Sequence, residues 1–173
     1  SSKSGLPSLI RIDSQGKKRQ IHSNYDPRSE ATRYLESIKT RESMNFIVLG
    51  FGLGYQTIEL IRNASSLDKI FIFENDPELF ALAIREIDLT EILEHPGVQL
   101  FINVKPTMIG PLLDAEQVTF TLNQYSIVRQ AALIDGAFEY YGVLLEEITK
   151  YFKESEVNFK TQSAHSKIYN KNI

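Results

Sequence analysis

The chain has 173 residues, 42% of them hydrophobic and 24% charged, with a net charge of −3 and no cysteine. This composition fits one folded domain with a sizeable core and short appendages and argues against disorder, and the lack of cysteine excludes a disulfide framework and a zinc–thiolate site. The charge leaves no electrostatic footprint for nucleic acid or an anionic membrane, and no apolar run approaches the ~20 residues of a membrane span.

The chain opens SSKSGLPS, with neither Met nor a signal-peptide pattern, and is expected to be a piece of a longer protein with residues 1–7 as a flexible lead-in. Ser8 to Ile12 and Lys18 to Ser23 are short extended runs. Asp13-Ser14-Gln15-Gly16 between them has turn chemistry, so a β-hairpin is expected. An isolated pair of strands is only marginally stable and must dock on something. Lys17-Lys18-Arg19 reads as a solvated basic turn.

Asp26 suits an N-cap, Pro27 the first helical position, and Glu30 is placed to reach back towards the cap. Ala31, Tyr34, Leu35 and Ile38 form an apolar stripe, which predicts a helix from Pro27 to about Glu42. His22, Tyr25 and Asp26 cluster at this junction, and a His beside an Asp can act as a general base or a ligand. Asp26 already serves as the cap. His22 is therefore expected as a strand-end polar residue and Tyr25 as a staple on the helix. His95 precedes a Pro-Gly break and His165 sits in the polar tail, and neither joins a catalytic or metal-ligand pattern.

Phe46 to Leu49 is an apolar run suited to a parallel strand buried on both faces. It is followed by Gly50, Gly52 and Gly54, a helix over Gln56 to Arg62, and a second buried strand from Lys69 to Phe73. Pro77 to Ile87 predicts a helix behind Asp76, with a helical turn over Leu89 to Leu93 and a third strand over Val98 to Ile102. Pro106 to Leu113 reads as a short helix and Val118 to Leu122 as a fourth strand, after which the strand pattern stops. Gly136 to Phe152 predicts a helix that buries Phe138, Tyr141, Leu144, Leu145, Ile148 and Phe152 on one face. Glu154 to Ile173 is polar and is expected as a helix leaving the domain. The expected units are residues 1–7, a hairpin plus helix over 8–44, a core over 45–153, and a linker over 154–173.

Close glycines after a buried strand let the chain turn into a helix and clear the approach to its N-terminal N–H groups. An acid at the end of the next strand lies beside that site and commonly accepts hydrogen bonds from a ribose. Glu74 has that position, and Asp76 follows it. The dinucleotide fingerprint needs a glycine where Tyr55 stands. Gly50-x-Gly52-x-Gly54 resembles instead the first motif of class I methyltransferases, and FENDP resembles their second. Val48 replaces the acid usual before the first glycine, and Asn103 stands where an acid near the adenine is common. Gly50, Gly52, Gly54, Tyr55, Glu74 and Asp76 are the candidate cofactor-binding residues, for S-adenosylmethionine or a nucleotide. The other reading is a scaffold whose glycines only make a tight turn, with Glu74 a solvated strand-end acid. The fold class is α/β: a Rossmann-like, mostly parallel sheet with flanking helices, preceded by a β-hairpin and followed by a C-terminal helical extension.

IHSNYDPRSEATRYLE, FIVLGFGLGYQTIELI and IFIFENDPELFALA, in this order and spacing, resemble the N-terminal domain of the motility-associated factor (Maf) proteins. QSAHSKIYNKNI is similar to the lead-in to that family's central domain. The resemblance implies a bacterial, cytoplasmic glycosyltransferase that moves a nonulosonic acid from a CMP-activated donor onto Ser or Thr of flagellin. It assigns the transferase chemistry to a central domain beyond this chain, so catalytic residues carry over to no position here. Flagellin, the CMP-linked sugar and self-assembly into a homo-oligomer are the partners it implies.

Overall fold

The computed structural model describes residues 1–13, 15–38, 45–114 and 125–169, with backbone alone beyond residue 158. A two-stranded antiparallel sheet comes first, β1 (Ile10–Ile12) with β2 (Lys18–Gln20). Its turn is built as the sequence implies. Asp13 accepts from the backbone N–H of Gln15 and of Lys17, and Gly16 takes φ 78°. Residues 1–7 fold back on the following junction, with the Lys3 N–H donating to the Asn24 carbonyl and the Ser4 N–H to that of Tyr25.

Helix α1 (Pro27–Ser37) starts where expected, with the Asp26 side chain accepting from the N–H of Arg28 and Ser29. Glu30 reaches back further than the cap, to the Ser23 N–H at 2.9 Å. The helix stops short of Glu42. Ile38 is already extended, and the Ser37 hydroxyl donates to the Tyr34 carbonyl, taking an acceptor from the helical ladder. Tyr25 is no staple: it is 67% exposed, under the Lys3 ammonium.

The main sheet has β3 (Asn45–Leu49), β4 (Lys69–Glu74), β5 (Val98–Ile102) and β6 (Tyr125–Arg129), all parallel, in the order β5-β4-β3-β6. The connecting helices are α2 (Tyr55–Asn63), α3 (Pro77–Glu86), α4 (Thr90–Glu94) and, after a 3-10 turn at Pro106–Met108, α5 (Ile109–Asp114). Strand β6 is a correction, because it follows the point where the sequence pattern was expected to stop. The expected strand over Val118 to Leu122 lies outside the described residues. YSIVR escapes notice because it is a half-exposed edge with polar residues at both ends.

Covering both sheet faces explains the continuous apolar runs of β3 and β4. Phe46, Val48, Ile70, Ile72 and Val128 pack with residues of α1, α2 and α4. Ile47, Leu49, Phe71 and Phe73 pack with α5 and the last helix. That helix, α7 (Phe138–Tyr169), runs unbroken for 32 residues, so the tail continues it and does not begin a new element. Gly136 ends a short preceding helix, α6 (Ala131–Gly136), and does not start α7. Tyr141, Leu144, Ile148 and Phe152 are buried as expected and Leu145 partly so, whereas Phe138, the first residue of α7, is 72% exposed.

Candidate functional site

The strand order reverses direction between β3 and β6, and in open parallel sheets the crevice at that point, beyond the strands' C-terminal ends, is the usual ligand seat. The glycine turn enters it from β3. Gly50, Gly52 and Gly54 have φ of 79°, 60° and 83°. Such alternating left-handed residues turn backbone N–H groups towards a common acceptor. In this chain the acceptors are its own side chains. The N–H groups of Phe51 and Gly52 donate to Glu74 Oε2 at 2.8 and 3.3 Å, and the N–H of Leu53 donates to His22 Nε2 at 2.9 Å.

Glu74 is 1% exposed, so it is not the solvated acid of the scaffold reading. Its other oxygen, Oε1, accepts from the Asp76 N–H at 2.9 Å and the Tyr141 hydroxyl at 3.3 Å. Burial, reinforced by the Glu74 charge, pushes the Tyr141 phenol well above the ordinary tyrosine range, so it stays protonated and donates. The same hydroxyl accepts from the Asn75 N–H at 3.2 Å. A carboxylate with four donors around it is well matched without any cation.

His22 is equally enclosed. Burial lowers its pKa to about 4, so the ring is neutral near pH 7. Its Nε2 accepts from the Leu53 N–H, and its Nδ1 lies 3.2 Å from the Gln130 side-chain amide. Tyr55 meets the ring edge-on at 5.3 Å and donates its hydroxyl to the Pro7 carbonyl at 2.7 Å. Gln130, at the end of β6, donates to the Ile21 carbonyl at 2.8 Å and accepts from the Gln56 amide at 3.4 Å.

The space that the glycines leave is also taken internally. A Cβ at Gly52 would lie 2.6 Å from His22 Nε2, and one at Gly50 would lie 3.3 Å from the Gln130 Cβ. The glycines thus admit the hairpin's histidine and the β6–α6 junction to the turn.

Of the candidates from sequence, Gly50, Gly52, Gly54 and Glu74 converge, and Tyr55 joins them from below through His22. Asp76 contributes its N–H to Glu74, while its carboxylate caps α3 by accepting from Glu78 and Leu79. Asn103 takes φ 53° and donates its N–H to the Glu74 carbonyl at 2.7 Å. His95 accepts from the Gly97 N–H, a local turn contact. Gln130 and Tyr141 were not legible as site residues, since they lie 108 residues from His22 and 67 from Glu74. Among the described residues, no three His, Cys, Asp or Glu side chains group where a metal ion could sit.

A family model described as the glycosyltransferase Maf N-terminal domain matches residues 5–113. The chain belongs to this family. No curated protein matches it. The Maf N-terminal match takes in the hairpin, the glycine turn and Glu74, and it ends before Gln130, Leu133 and Tyr141, which complete the packing around the turn. Among the described residues of this Maf domain, no helix is long and apolar enough to cross a membrane.

Proposed function

We propose that this chain is the accessory N-terminal part of a cytoplasmic glycosyltransferase that moves a CMP-activated nonulosonic acid onto Ser or Thr of flagellin. In it the glycine turn serves as an internal hub that fixes the hairpin, α3 and α7 to one sheet. Membership of the Maf N-terminal family supports the transferase context. The observation that carries the hub reading is the filling of the turn: Glu74 and His22 take the N–H groups of Phe51, Gly52 and Leu53. S-adenosylmethionine or a nucleotide bound through these amides would have to displace both side chains, leaving a buried carboxylate and a buried imidazole to find new partners.

Calorimetric titration of the chain with S-adenosylmethionine, S-adenosylhomocysteine, CMP and NAD tests the reading. The expected result is no saturable heat with any of the four. Saturable binding of S-adenosylmethionine that Glu74→Ala abolishes, in protein still folded by circular dichroism, overturns it in favour of a methyltransferase-like cofactor seat. Retention of flagellin on the immobilised chain tests acceptor recognition, and a clean negative counts against it.

A further inference from the structure

Helix α7 is fastened to the sheet unevenly along its length. Its first turn is pinned by paired polar groups. Tyr141 donates to Glu74 Oε1 and accepts from the Asn75 N–H, and the Tyr140 hydroxyl donates to the Val104 carbonyl at 2.8 Å. Further along, Leu144 and Ile148 are 0% and 1% exposed, whereas Tyr151 and Phe152 reach 9% and 8% at the rim of the same cluster. Between these stretches the Thr149 hydroxyl donates to the Leu145 carbonyl at 2.7 Å, a bond back onto the preceding turn that competes with the helical ladder and eases bending.

The sheet under that rim is polar. Side chains alternate along a strand, so Asn45 shares the face of Ile47 and Leu49, the one that α7 covers. In the sheet Asn45 sits between Lys69 and Tyr125, and the Tyr125 ring stacks on Phe152 at 4.1 Å. Asn45 is 0% exposed, and among the described residues neither its Oδ1 nor its Nδ2 has a hydrogen-bond partner. A buried amide with both ends unmatched is disfavoured, and it recovers its bonds as soon as water reaches it. Closing α7 over Asn45 therefore gains at the two aromatic rings and loses at the amide. The polar groups of the first turn carry no such conflict.

We propose that α7 beyond Thr149 is a strap that detaches from the sheet while the first turns of the helix stay docked. In the closed state Phe152 lies on Tyr125 and Asn45 is sealed beneath the helix. In the open state the helix bends away at Thr149, Tyr151, Phe152 and Ser155 leave the sheet, and water solvates the Asn45 amide. The open state is the minor one, held by roughly one molecule in a hundred. Because α7 continues to Tyr169, the same motion swings the end of the helix relative to the sheet.

The chain has no cysteine, so a single introduced thiol reports opening at a chosen position through its rate of labelling by iodoacetamide. Ser155 is 4% exposed on the strap, and Thr57 is 1% exposed in α2, on the opposite face of the sheet. In the whole chain, Ser155→Cys is expected to label about tenfold or more faster than Thr57→Cys, and with a weaker dependence on urea, because only part of the surface opens. Asn45→Leu removes the unmatched amide at similar volume and is expected to slow Ser155→Cys labelling about tenfold. Thr149→Ala, at a half-buried position, removes the back-bond and favours the straight helix, and is expected to slow it about threefold. The proposal is overturned if Ser155→Cys labels no faster than Thr57→Cys, because α7 then opens only with the whole fold. It is also overturned if Asn45→Leu leaves the Ser155→Cys rate unchanged or raises it, because the closed amide is then not what favours opening. Should Asn45→Leu fail to fold by circular dichroism, an unchanged rate in Thr149→Ala overturns it in the same way.

Discussion

His22 Nε2 accepts the backbone N–H of Leu53 at 2.9 Å, joining the hairpin to the glycine turn across 31 residues of sequence. The bond requires a neutral ring, and burial holds the histidine pKa at about 4 against an ordinary 6.5.

Stability therefore depends on pH in a defined direction. The unfolded chain takes up a proton on His22 as the pH falls through 6.5, while the folded chain resists until about 4. The contribution is complete above pH 7 and is lost as the pH falls through this window. Urea unfolding at pH 7.5 and 5.0 should differ by about 2 kcal/mol through this group. His22→Gln, which has no such titration, should show a correspondingly smaller difference. Equal slopes in the two proteins would sink the assignment.

Gly52→Ala meets two obstacles: a left-handed φ of 60° and a Cβ 2.6 Å from His22 Nε2. The backbone part costs about 1–2 kcal/mol and the clash adds to it, for roughly 3 kcal/mol in all. In a His22→Ala background only the backbone part should remain, leaving a coupling of about 1–2 kcal/mol in a double-mutant cycle. If the two changes prove additive, His22 is not what the glycine accommodates.

Glu74→Ala strips the acceptor from the N–H groups of Phe51 and Gly52 and from the Tyr141 hydroxyl, and should cost about 3 kcal/mol or more. Tyr141→Phe loses one hydrogen bond to Glu74 and one from Asn75, and should cost only about 1–2 kcal/mol. Chemical denaturation gives both values. A Glu74→Ala protein as stable as the parent would remove the carboxylate from its place at the hub.

The two Pro-initiated helices offer a control. Asp26→Ala and Asp76→Ala each remove a side-chain cap, from α1 and α3, and each should lower stability by about 1 kcal/mol. The Asp76 change should also remove the carboxylate that lies 3.9 Å from Arg11 of the hairpin, whereas the Asp26 change should not.

Much of the fold could be read from local chemistry. Asp26-Pro27 and Asp76-Pro77 announced their helices, and the unbroken apolar runs at 46–49 and 70–73 announced strands covered on both faces. Strand β6 could not be read this way, because an edge strand with Tyr, Ser and Arg among its five residues carries too little pattern. Within the site, the glycines and Glu74 were visible as a spacing. What fills the turn was not, because His22 and Gln130 reach it by folding and not by proximity in sequence. Nothing local distinguishes an acid that awaits a ribose from one that the turn's own amides have already claimed.

The end of the family match at residue 113 bears on how this domain should be handled in the laboratory. Tyr141, Leu144, Ile148 and Phe152 cover the sheet face made by Ile47, Leu49, Phe71 and Phe73, and all four lie beyond that point. A fragment trimmed to the matched region would expose an aromatic-rich sheet to water and strip Tyr141 from Glu74. Expression boundaries that keep α7 through Phe152 retain the cover over that face.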